Sequence, residues 1–302
     1  MTLSAGDFFA TLCDGLGNHV WFHEGQRVVR VGVPNPDNRS AADLAEGQSL
    51  EDALGAVPMF QGRQFTLEPM TLPPGRYYAR MARPSDQNPT QAPGSLPNAY
   101  RHQDTIIASL NQVRSLVSML DSIFQAVHPT QANMAAFGGT IRNLLILAST
   151  ECEAQWRGVL VANNIVPQRP STTDYVKLAP AMRLREYGVS LRHFPWLPPS
   201  QPFGGWDGKA PTKSLPWYDD YNAAKHDREG AFSRASLQSA INAVSAVWIM
   251  IAAQFGHSAV REFDDLERYF ELSGVPRWPY VEVYTPPYAG FDSEVGPIPY
   301  PL

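Results

Sequence analysis

Proline has no backbone N–H and its ring blocks the helix turn before it. Where a chain puts its prolines therefore decides where its long helices can lie. This chain of 302 residues has 27 prolines, and they crowd 57–98, 167–216 and 276–301. The two windows between those stretches are almost free of them. In the first, Ile106, Ile107, Leu110, Val113, Leu116, Val117, Leu120, Ile123, Phe124 and Val127 recur every three or four residues up to His128-Pro129. That spacing predicts a long amphipathic helix. A second helix is predicted over roughly 133–163, with Phe137, Ile141, Leu144, Leu145, Ala148, Cys152, Trp156 and Leu160 as its apolar stripe. The second window holds the most apolar run, 240–255. It is short for a bilayer, and Asn242, Ser245 and Gln254 interrupt it, so a buried core helix and no membrane are expected.

The first hundred residues read differently. Phe8, Phe9, Leu12 and Leu16 suggest a short helix over 4–16. His19–His23 and 27–33 are rich in β-branched and aromatic residues, with Glu24-Gly25-Gln26 between them, and predict a hairpin. His19 and His23 then share a strand face. Two histidines fall short of a zinc ligand set, so a plain strand surface is expected and no metal. Ser49–Leu54 reads as a helical turn. Residues 64–68 and 75–81 read as strands around a Pro73-Pro74-Gly75 turn. A polar, proline-rich linker follows.

Downstream, Ser171 to Asp174 offers N-cap chemistry for a helix over 175–187, bent or interrupted at Pro180. The proline- and aromatic-rich stretch 188–208 reads as a lid over the bundle. A short acidic helix is expected over 258–272. The tail carries prolines with Trp278, Tyr280, Tyr284, Tyr288 and Tyr300, and is expected to pack in extended form. The fold class is thus α+β overall. A small α+β unit (1–83) and a linker (84–99) precede a mainly helical bundle (100–272) and an extended tail (273–302).

Charge and cysteines limit the function. The net charge of −5 divides into −3 over 1–100, zero over 101–159, +3 over 160–234 and −5 over 235–302. A dedicated basic nucleic-acid domain carries far more positive charge. Cys13 and Cys152 have no metal-type spacing and read as reduced, buried thiols. The opening residues have no signal-peptide pattern, so a cytoplasmic protein is expected.

The focus falls on 212–256, whose Asn222/His226 pair lies in the basic section. Ser214 can cap a helix whose first turn holds Pro216. Asn222 and His226, four residues apart, share a face of that helix. The helix Ile141-Arg142-Asn143-Leu144-Leu145-Ile146-Leu147-Ala148-Ser149-Thr150-Glu151, with Tyr221-Asn222-Ala223-Ala224-Lys225-His226 far downstream, resembles the HEPN superfamily over about 101–256. The family motif is an arginine, often a polar residue such as asparagine, three further residues and a histidine. Asn222 and His226 match, and Tyr221 stands at the arginine. The resemblance implies a helical bundle that pairs as a homodimer in bacterial defence, toxin–antitoxin or RNA-processing systems. Many such proteins are metal-independent endoribonucleases, and no cofactor is implied.

Cleavage without metal needs a base for the ribose 2′-OH, an acid for the leaving 5′-oxygen and a cation on the phosphoryl group. Histidine suits the proton transfers, with Asn222 positioning the phosphate. A phenol cannot replace a bidentate guanidinium, so the cation would come from Lys225, Arg228, Arg192 or Arg185. Three readings follow. One is a non-catalytic HEPN-like module binding RNA, a nucleotide or a protein partner. The second is an endoribonuclease with His226 as acid/base. The third is a structural part of a larger assembly. Against these, His226 could simply counter the helix dipole. Tyr218 and Tyr221 could pack in the core, and Asp219, Asp220, Glu151 and Glu153 could cap or solvate.

Overall fold

Phe9, Ala10 and Thr11 are buried side by side near the N-terminus, and strand pairing on both sides is what buries them. In the computed structural model, which describes residues 3–83, 97–227, 229–257, 266–287 and 294–302, the helix expected over 4–16 is strand β1 (Phe8–Leu12). It pairs antiparallel with β2 (His19–His23). The aromatic pair Phe8-Phe9 splits its two rings between the faces of a strand. The hairpin from β2 to β3 (Arg27–Arg30) forms as expected. With β4 (Ala41–Asp43) and β5 (Thr66–Pro69) the sheet order is β4-β3-β2-β1-β5. Helix α1 (Leu50–Gly55), capped by the Ser49 hydroxyl, supplies Leu54 to a core with Phe9, Trp21, Val28 and Phe60. β5 pairs with β1, not with β6 (Arg76–Tyr78), so Pro73-Pro74-Gly75 does not close a hairpin.

The chain divides into two compact units. One is Met1–Tyr77, Arg83–Asn88 and Trp278–Pro297; the other is Tyr78–Ala82, Pro89–Arg277 and Ile298–Leu302. Part of the tail therefore groups with the N-terminal sheet. In that unit Thr71 and Gly75 donate backbone bonds to Val281 and Thr285. Residues 84–96 of the expected linker lie outside the described residues, and 97–99 open helix α2 (Pro97–Arg101).

The second unit is helical at its centre. α3 (Gln103–Ala126) buries Ile106, Leu110, Val113, Leu116 and Leu120, the predicted stripe. α4 (Gly139–Ala162) starts later than the periodicity suggests. A single 3-10 turn at Gln131–Asn133 and a bridge from Phe137 to Ser236 occupy the expected first turns. The helix expected over 175–187 breaks into α5 (Thr172–Tyr175), α6 (Leu178–Ala181) and a 3-10 turn at Leu184–Glu186. Pro180 cannot donate to the preceding turn, and Arg183 adopts a left-handed φ of 51° that no helix continues.

β7 (Gly188–Leu191) pairs antiparallel with the segment expected to be an acidic helix. Residues 258–265 of that segment lie outside the described residues. Its end forms a 3-10 turn at Leu266–Arg268, and Phe270 opens strand β8 (Phe270–Gly274). The cause is Phe270 itself. It is fully buried and stacks on Trp248 at 5.8 Å, while its neighbours along β8 alternate outward. Helix α7 (Pro216–His226) precedes α8 (Leu237–Phe255), of which only Gln238 and Asn242 escape full burial. At 19 residues α8 is long and apolar enough to cross a membrane, contrary to the shorter run read from the sequence, but its surface is covered by the unit. The last strand, β9 (Gly296–Ile298), pairs with β6.

Where α4 and α8 end, a polar network closes the unit. Arg80, held at a left-handed φ of 53°, donates from Nε to Gln254 at 2.8 Å. Gln254 donates to Gln155 at 3.2 Å, and Gln155 donates to Glu151 at 3.0 Å. Asn98 accepts the Arg80 N–H and donates to Tyr78 and Met81 carbonyls. Asn163 donates to the Ala79 carbonyl and accepts the Tyr300 N–H. Burial lowers the Arg80 guanidinium to about 10 and raises the Glu151 carboxyl.

Candidate functional site

α7 is short, and its packing leaves one side for solvent. Pro216 sits in the first turn as expected, but Ser214 does not cap the helix. Leu215 is the N-cap residue without a side-chain bond, and the Ser214 hydroxyl accepts instead from the Asp207 N–H at 2.9 Å. Trp217, Tyr218, Tyr221 and Ala224 form the buried face. Tyr218 donates to Glu153 of α4 at 2.5 Å, and burial with that carboxylate raises its phenol well above the ordinary range. Arg142, in the first turns of α4, reaches the other end of α7. Its Nε and Nη2 donate to the Ala224 carbonyl at 3.2 and 2.9 Å. The two helices therefore run antiparallel.

The acidic residues of α7 are structural. Arg234 pairs with Asp219 at 2.6 Å and with Asp220 at 2.9 Å, and Ser239 near the start of α8 donates to Asp220 at 2.6 Å. Tyr221, expected to stand at the arginine position, is only 1 % exposed. Its hydroxyl accepts from Lys225 Nζ at 2.8 Å, and the ammonium lies 5.0 Å from the ring centroid. That hydrogen bond, one helical turn along, is the main reason the ammonium holds its proton more tightly than usual.

Asn222 is half-buried and His226 exposed, on one face as expected. Among the described residues neither side chain makes a hydrogen bond or ion pair. His226 is the last residue of α7, where Lys225 and the Arg142 guanidinium also offset the negative end of the helix.

The other proposed cations lie elsewhere. Arg192 follows β7, donates its N–H to the Tyr269 carbonyl and faces Glu271 at 3.7 Å. Arg185 donates to the Trp206 carbonyl at 2.6 Å. Arg228 lies outside the described residues. The cation missed from sequence is Arg142. It stood in the quoted helix, but no local signal links it to Ala224, 82 residues away.

Elsewhere, a cleft of about 760 Å³ opens in the N-terminal unit among Leu44, Leu50, Leu67, Glu46 and Glu51. It gathers no acid–base constellation. His23 at its wall spends Nδ1 accepting from Gly25 at 2.9 Å. His19 is half-buried, not surface, and burial lowers its imidazole to about 4. Among the described residues no three His, Cys, Asp or Glu side chains gather as a metal site requires.

Among the described residues the α7 end thus offers one imidazole without a hydrogen-bond partner, one carboxamide and two cations. Such a set can hold an anion. Among the described residues it supplies a single imidazole, and Tyr221, expected to stand at the arginine position, is a core phenol. No protein-family model, curated protein or solved structure matches the chain.

Proposed function

We propose that the helical unit is a HEPN-like module that binds RNA at the C-terminal end of α7 and does not cleave it. The observation that carries this reading is Tyr221. Its phenol is buried and engaged by Lys225, so the motif's guanidinium has no counterpart at that place. Lys225, pinned by the phenol, serves as the cation for a phosphate. Asn222 and His226, up to about 100° round the helix from Lys225, supply hydrogen bonds from the adjacent face. Lysine binds phosphate as a point charge and lacks the fork of arginine, which suits holding an anion more than stabilising a transition state.

The test is fluorescence anisotropy with labelled single-stranded RNA in EDTA, alongside a cleavage gel. Binding that weakens with salt and with Lys225→Ala, with the RNA intact, is the expected result. Cleavage in EDTA that leaves cyclic phosphate ends and disappears in His226→Ala would replace this reading with the endoribonuclease.

A further inference from the structure

The end of the helical unit that carries His226 also carries exposed aromatic rings. α3 finishes there, α4 and α8 begin there, and Arg142 ties the end of α7 to the same place. Leu237 and Gln238 of α8 donate to the Ala136 and Met134 carbonyls in the α3–α4 connection. Among the described residues, Trp196 and Phe137 are the two aromatic side chains left strongly exposed, at 55 % and 52 %. Both belong to this end. Trp196 donates its indole N–H to the Pro129 carbonyl, just beyond α3, at 2.7 Å. Phe137 sits just before α4 and meets Phe232, from the α7–α8 connection, edge-on at 5.9 Å.

These rings are held in place. Trp196 lies against His128 at 5.6 Å, tilted by 34°, and edge-on to Phe194 at 5.7 Å. Phe194 is itself fixed on Phe124 at 4.8 Å. A locked ring with an open face loses little freedom when another ring stacks on it. Between the two ring pairs in sequence lie Thr130, Gln131 and Asn133, whose side chains are not buried. A broad continuous patch marks a protein interface. Rings set among polar side chains, at an end of the unit that also carries cations, match single-stranded nucleic acid, whose bases stack while its phosphates meet positive charge. Lys225 and Arg142 supply that charge, and Arg234 already neutralises Asp219 and Asp220. Asp227 and Glu229 remain as opposing charges, and Asp227 accepts from the Gly230 N–H.

We infer that this end of the helical unit is a track for single-stranded RNA, with unpaired bases stacking on Trp196/His128 and on Phe137/Phe232. The inference rests on RNA being the ligand of the α7 end, and extends it to a base-reading surface distinct from the phosphate contact. The test uses the full chain labelled with 5-fluorotryptophan, with the Trp196 resonance assigned through Trp196→Phe. The probes are a short oligoadenylate and an abasic oligomer of equal length. The Trp196 resonance should shift with oligoadenylate and stay fixed with the abasic oligomer, while the other tryptophan resonances report an intact fold. Phe137→Ala should weaken oligoadenylate binding about tenfold and leave abasic binding unchanged. Oligoadenylate binding with an unmoved Trp196 resonance and no effect of Phe137→Ala overturns the track but keeps the α7 reading. Absence of any binding overturns both. A protein that shifts Trp196 when oligoadenylate does not assigns the rings to a protein interface and overturns the track.

Discussion

The two ends of α4 hold polar side chains in opposite circumstances. Near its C-terminus, Gln155, Asn163 and Gln254 are almost wholly buried, and each has hydrogen-bond partners within the unit. Near its N-terminus, the neighbouring end of α7 shows Asn222 and His226 with no partner among the described residues. Buried polar groups must be satisfied or they destabilise the fold. Exposed ones are free to be satisfied by something else. The first end is therefore built for folding, and the second is the end proposed to bind RNA. Substitutions should separate them cleanly.

The largest effect belongs to the buried end. Asn163→Ala leaves the Ala79 carbonyl and the Tyr300 N–H without their partner. Urea unfolding should show a loss of about 3 kcal/mol, with RNA affinity of the folded fraction unchanged. Next comes Gly158→Ala. An added Cβ would lie 2.2 Å from Arg80 Nη1 and 2.8 Å from its Cζ, so the guanidinium must leave its place. A cost of ~1–2 kcal/mol is expected. In an Arg80→Ala background the sign should reverse to a gain of up to ~1 kcal/mol from helix propensity. A cycle without that reversal would detach Arg80 from the network.

Acid should loosen the same end as well. Burial, with Arg80 and Arg101 nearby, holds the His102 imidazole below its ordinary 6.5. A folded-state pKa below the unfolded one means the unfolded chain binds more protons as pH falls through about 6.5, so stability falls there. Glu151 works in the opposite sense at lower pH, because its raised carboxyl takes up a proton in the folded state first. Urea midpoints at pH 7 and 5.5 should differ more for the wild type than for His102→Gln. The smallest change in stability is expected at the binding end. His226→Ala and Asn222→Ala should stay within ~0.5 kcal/mol by thermal melting, yet both should weaken RNA binding. Loss of fold in either would break the contrast and make the pair structural.

The sequence made the long helices legible because their stripes are strictly periodic and nearly free of proline. α3 is where periodicity puts it, and α8 contains the apolar run 240–255. The two strands read as helix share one cause, which is that strand pairing is non-local. Phe8, Phe9 and Leu12 fit a helical spacing, but their partners at Phe22, Trp21 and Thr66 decide the outcome. Phe270 likewise belongs to β8 because β7, some eighty residues earlier, waits for it. At the candidate site, the shared face of Asn222 and His226 was readable from their separation along one helix. The burial of Tyr221, the diversion of Ser214 to Asp207 and the arrival of Arg142 were not, since each depends on a separate segment.

α8 has one more consequence, for synthesis. Its apolar surface is covered mainly by segments that precede it, α3, α4 and α7. When it leaves the ribosome the segments that cover it have already been made. A permuted chain that began with α8 would display 19 residues that pass for a transmembrane segment before any cover was made. Sedimentation of newly made chains with membranes or aggregates, seen for the permutant and not for the natural order, is the expected signature.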